Sequence, residues 1–170
     1  MGVPWPGGWH WDWAGFGLGV IGTGPLLLGF WWLLKAETKA SCRIRDFIEN
    51  VLRPALEEWS VGQLLAISVL AAVCEEVLFR GVVQRGVEQW LGPVPGLILA
   101  SALFGVCHWI TPTYALVAGL MGGYLGLLWW WSGNLLTPVV THAAYDFAAL
   151  VWLLRVRRGG RGNGSSGTGN

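Results

Sequence analysis

The sequence predicts an all-α, polytopic membrane protein with about five transmembrane helices and one interfacial amphipathic helix. Three observations predict it. Of 170 residues, 54% are hydrophobic and only 12% are charged, whereas about a quarter are charged in soluble domains. The apolar residues gather in runs of span length separated by turn signals. The 13 Trp residues lie mostly near run ends, as at Trp5, Trp9, Trp11, Trp13, Trp31, Trp32 and Trp129 to Trp131, where such rings settle at bilayer headgroups. A net charge of +1 excludes a generally basic nucleic-acid binder, so the partner implied first is the lipid bilayer.

The elements follow in order. Residues 13–34 carry no charge and are long enough to cross a hydrocarbon core of about 30 Å. No Lys or Arg precedes the run, which argues for a retained span over a cleaved signal peptide. From Lys35 to Ser60 the chain is charged, and Ile44, Phe47, Ile48, Val51, Leu52, Ala55, Leu56 and Trp59 recur at helical spacing. This predicts an amphipathic helix lying in the interface, with Pro54 as a kink. Four further apolar stretches occupy residues 61–83, 94–110, 113–131 and 135–154, divided by LGPVP, TPT and SGN. Gly119, Gly122, Gly123 and Gly126 give overlapping GxxxG spacings that let helices approach closely.

Five Lys and Arg lie between Lys35 and Arg53 and four between Arg155 and Arg161, with none before the first span. The positive-inside rule puts both segments in the cytoplasm and the amino terminus outside. The tail after Arg161 offers nothing to bury and is expected to be disordered. Cys42, Cys74 and Cys107 show no CxxC spacing and read as small apolar fillers, a thiolate role beside Glu75 and His108 being the alternative.

Chemistry is signalled by ionisable groups inside apolar runs: Glu75, Glu76 and Arg80 in the second, His108 at the end of the third, His142 and Asp146 in the fifth. An unpaired charge at mid-bilayer costs roughly 2.5–3.5 kcal/mol. Glu76 and Arg80, four apart, share a helix face and can pair. Glu75 has no basic residue at plus three or plus four and is the carboxylate left to serve as a general base or acid. His142 and Asp146 are also four apart, so Asp146 can orient the ring or share a ligand with it. Polar residues can also simply bind helices together, and that plain role suffices for His10, Tyr114, Tyr124 and Tyr145.

EEVLFR at 75–80, FGVCH at 104–108 and HAAYD at 142–146 resemble the EExxxR, FxxxH and HxxxN-or-D motifs of the CAAX-protease and bacteriocin-processing family, in the family's order. The resemblance extends over residues 59–154. It divides the chain into an N-terminal span with its amphipathic helix (1–58), a protease core (59–154) and a basic tail (155–170). It implies an intramembrane endopeptidase, in a bacterial plasma membrane, acting on a peptide or lipidated protein. Glu75 and His108 would activate water, His142 and Asp146 would stabilise the intermediate, and Glu76 and Arg80 would support them. Asp146 departs from the Asn of CAAX-cleaving members.

Two mechanisms fit the pattern. In one, His108, His142 and Asp146 hold a zinc whose water Glu75 deprotonates; the HExxH signature is absent. In the other, no metal takes part and His142 donates to the oxyanion. A non-catalytic membrane scaffold or immunity protein of the same fold is the competing function, and a small ion or proton transporter a third.

Overall fold

The computed structural model describes residues 8–156, and the described chain is helical without strands. Helix α1, Trp13–Lys35, starts at Asp12, whose side chain accepts the Gly15 amide, as the exposed amides of a first turn require. At its other end Arg45 donates to the Leu34 and Ala36 carbonyls. The amphipathic segment begins earlier than its apolar pattern suggests, with α2 at Lys39–Phe47, a π-helical stretch at Ile48–Leu52 and α3 at Arg53–Leu56. Pro54 therefore does not break the helix. It sits in the first turn of α3, and the widened winding just before it absorbs the missing amide and the ring.

Ser60 and Gln63 form a capping box that starts a helix much longer than expected, Val61–Leu91. It comprises α4 (Val61–Glu76), a π-helical stretch (Val77–Gln84) and α5 (Arg85–Leu91). Gly92, at φ 87°, turns the chain into α6 (Pro93–Cys107), followed by α7 (Pro112–Ser132) and α8 (Leu136–Val151), which continues in π winding through Val156. Among the described residues four helices are long and apolar enough to cross a membrane: Trp13–Lys35, Val61–Leu91, Pro112–Ser132 and Leu136–Leu154. The third expected span is the shorter α6.

Helix α6 runs antiparallel to α7. Leu97 lies at Gly126 and Gly105 at Ala115 and Gly119. At the end of the bundle where Gly105 meets Ala115, Ile44, Ile48 and Leu153 form a cluster joined by Phe30, Leu33, Leu52 and Tyr114. The ends of α1 and α8, the start of α7 and the interfacial helix thus share one face.

Some expectations fail at the side-chain level. Trp9 and Trp130 pack on the cluster of Ala72, Trp129, Leu135 and Val139, so of the Trp129 to Trp131 run only Trp131 is exposed. The three cysteines are all exposed and do not fill the interior. The helix continues to Val156, past the expected start of the basic tail at Arg155; Trp5 and residues 157–170 lie outside the described residues.

Candidate active site

Helix α4 delivers two adjacent carboxylates to different surroundings, because neighbouring residues on a helix point about 100° apart. Glu76 is fully buried and Arg80 nearly so, with Nε of Arg80 3.0 Å from Oε2 of Glu76. Arg80 also donates through Nη2 to the Gly122 carbonyl at 2.8 Å, and its guanidinium lies 5.2 Å from the Phe104 ring centroid. The pairing expected from spacing is present.

His142 reveals what the spacing did not. Its Nδ1 lies 2.9 Å from Oε1 of Glu76, so the carboxylate that holds this ring is Glu76, 66 residues away, and not Asp146. Asp146 instead approaches Nε2 of His142 at 3.5 Å, beyond an aligned hydrogen bond. An ionised carboxylate can only accept, so Nδ1 carries the proton in the contact with Glu76.

His108 is the first residue past α6. Its Nδ1 contacts the Phe104 carbonyl at 2.8 Å, an acceptor, so Nδ1 again carries the proton and Nε2 is turned inward. Phe104 stacks on the His108 ring at 4.4 Å, meets His142 edge-on at 6.0 Å and packs against Phe79 at 4.9 Å. The motif had given Phe104 no role, although an aromatic one turn before a histidine is the signal for such a stack.

Glu75 occupies the centre. Its Oε2 is 3.7 Å from Nε2 of His108 and 4.0 Å from Nε2 of His142. That oxygen is buried and has no hydrogen-bond partner among the described residues. The Glu75, His108 and Asp146 side chains are about 30% exposed against 4% for His142. The structure therefore brings together all four expected site residues, with Glu76 and Arg80 behind them.

Among the described residues no group of three or more His, Cys, Asp or Glu is arranged to hold a metal ion. The trio His108, His142 and Asp146 does not form a ligand set in this geometry, and neither do Cys74 and Cys107.

A profile of the type II CAAX prenyl endopeptidase Rce1-like family matches residues 57–148, which contain every residue just described. The uncharacterized protein YpbD of Bacillus subtilis (strain 168) is 31% identical over 107 residues, covering 58% of this chain and 51% of that protein. The chain thus spans about half the length of the curated relative it matches. No solved structure matches the chain.

Proposed function

We propose a function from one premise: the chain belongs to the type II CAAX prenyl endopeptidase Rce1-like family. On this reading it is an intramembrane endopeptidase that hydrolyses a peptide bond in a membrane-associated or lipidated protein or peptide, by CAAX-type or bacteriocin-type processing. The observation that carries the reading is the convergence of Glu75 Oε2 on two imidazole Nε2 atoms at 3.7 and 4.0 Å. Such separations are too long for a direct hydrogen bond and let one water touch carboxylate and ring from the side.

In this mechanism Glu75 and His108 take a proton from that water as its oxygen bonds to the scissile carbonyl carbon. The tetrahedral oxyanion accepts a hydrogen bond from Nε2 of His142 in its doubly protonated form, a ring already held through Nδ1 by Glu76. His108 returns the proton to the departing amine as the C–N bond breaks. Arg80 balances the charge of Glu76, and Asp146 borders the same Nε2. Stacking by Phe104 holds the His108 ring while its proton is exchanged.

Water reaches the site from the face that carries the interfacial helix. His108 ends a helix of 15 residues, about 22 Å long, and a short span draws the interface inward. The turn that follows leads into Tyr114, which belongs to the cluster on that face. With Lys35, Lys39 and Arg43 there, the rule for basic segments assigns it to the cytoplasm.

The test is purified full-length protein in detergent or liposomes, challenged with a farnesylated, internally quenched peptide ending in a CAAX sequence and with a quenched peptide library. Wild type is expected to cleave, and Glu75→Gln to lose cleavage while inserting into membranes at wild-type yield. Undiminished turnover by Glu75→Gln would remove the proposed base. Absence of cleavage by wild type under varied lipid conditions would favour the scaffold.

A further inference from the structure

The family match begins at residue 57 and leaves α1 outside it, yet α1 is bonded to the helix that carries His142. Thr141 is fully buried and donates through Oγ1 to the Gly19 carbonyl at 2.9 Å. One turn earlier Thr137, equally buried, donates to the Gly15 carbonyl at 3.2 Å. Thr23 reaches back to the Thr141 carbonyl at 3.5 Å. These bonds need backbone approach that only glycine permits. A Cβ at Gly19 would stand 2.6 Å from Val140 Cβ and 2.8 Å from the Thr137 carbonyl, and one at Gly22 would stand 2.9 Å from Thr141 Oγ1.

The starts of the two helices are tied as well. Asn134 donates to the His10 carbonyl and to Asp12, and accepts from the amides of His10 and Leu136. Both amide protons and the carbonyl oxygen of its side chain are engaged, so one side chain fixes where α8 begins relative to α1. Helix α8 therefore presents Thr137, Val140 and Thr141 to α1, while Val139 and His142 face α4. Thr141 and His142 share a peptide unit, so the hold on one sets the position of the other.

We propose that α1 belongs to the catalytic apparatus, with Thr141, set against Gly19 and Thr23, as a positioning residue that fixes the register of His142 and Asp146 toward Glu75. This rests on the reading of His142 as catalytic. Positional errors near 1 Å at a reacting centre cost up to about 100-fold in rate. A hydroxyl on the α1-facing side of α8 thus acts on turnover while touching no substrate.

The test compares Thr141→Val, Thr141→Ser, Gly19→Ala and Glu75→Gln in the full-length chain with the farnesylated quenched peptide. In parallel, the imidazole nitrogen resonances of His142 are recorded in protein carrying 15N-labelled histidine. Thr141→Val and Gly19→Ala are expected to lower kcat by on the order of 10- to 100-fold at nearly constant KM. His142 resonances should shift in both, and Thr141→Ser should keep wild-type rate and spectrum. Wild-type kcat and unshifted resonances in Thr141→Val and Gly19→Ala, beside an inactive Glu75→Gln, would overturn the positioning role and leave the endopeptidase reading intact. An active Glu75→Gln would instead overturn that reading. Thr141→Ser as slow as Thr141→Val would count against the hydroxyl. Should Gly19→Ala fail to accumulate, Thr141→Val decides alone, since it exchanges a hydroxyl for a methyl.

Discussion

At the scale of the residue, the division of labour between Glu75 and Glu76 follows from burial and partners. Glu76 faces Arg80 and His142 in a fully buried setting, whereas Glu75 keeps a buried oxygen without a hydrogen-bond partner among the described residues. Removing Arg80 leaves the Glu76 charge buried without its cation, so Arg80→Ala should destabilise the protein by about 3–5 kcal/mol as well as slow it. Thermal and denaturant unfolding in detergent measure this, and an unchanged midpoint would mean that the pair contributes nothing to stability. Asp146 separates the two mechanisms. At 3.5 Å from Nε2 of His142, an Asn amide there can donate to an oxyanion where a carboxylate cannot. Asp146→Asn should therefore remain active or improve. Parallel loss of activity and of stoichiometric bound zinc in that variant would establish the metal mechanism instead.

At the scale of the element, the site depends on how closely short and irregular helices approach one another. The π-helical stretch begins immediately after Glu76. It winds more residues into each turn, which keeps Glu76, Arg80, Gln84 and Glu88 on one side of the long helix. Gln84 and Trp130 both donate to Glu88, so this polar row is anchored at its far end. Helix α6 is seated by Gly105, where an added Cβ would lie 2.5 Å from the Ala115 carbonyl. Gly105→Ala should push α6 outward, carry His108 with it and lower stability by about 1–3 kcal/mol. Gly86, by contrast, has nothing within 4 Å of an added Cβ and lies inside α5. Gly86→Ala should be neutral or stabilising by up to about 1 kcal/mol. Equal effects at the two positions, read as unfolding midpoints, would contradict the close packing of α6 on α7.

At the scale of the whole molecule, local spacing was legible in the sequence and cross-helix contacts were not. The Glu76–Arg80 pair lies four residues apart and could be read directly. The bond from Glu76 to His142 joins residues 66 positions apart, and no periodicity within either helix signals it. The π winding was equally hidden, because it depends on packing and not on propensity. Four of the five expected spans appear among the described residues as helices of span length; α6, with 15 residues, falls short of that length. Glu88 meets Trp130 near the end of α7, so α6 must begin at that level. It then runs back along α7 to Gly105 beside Ala115, close to where α7 begins. Along the bundle α1, the long Val61–Leu91 helix, α6, α7 and α8 therefore alternate in direction. Exposed Trp13 and Trp31 on α1 lie about 27 Å apart at 1.5 Å per residue, matching a hydrocarbon core between two aromatic belts. If the basic interfacial helix lies in the cytoplasm, as the positive-inside rule assigns it, a reporter fused after Arg161 should read as cytoplasmic and one fused before Trp5 as external. Both reporters on one side would mean that α6 turns back without crossing. His108 would then have to reach Glu75 from the outer face, and water would enter on the side opposite to the interfacial helix.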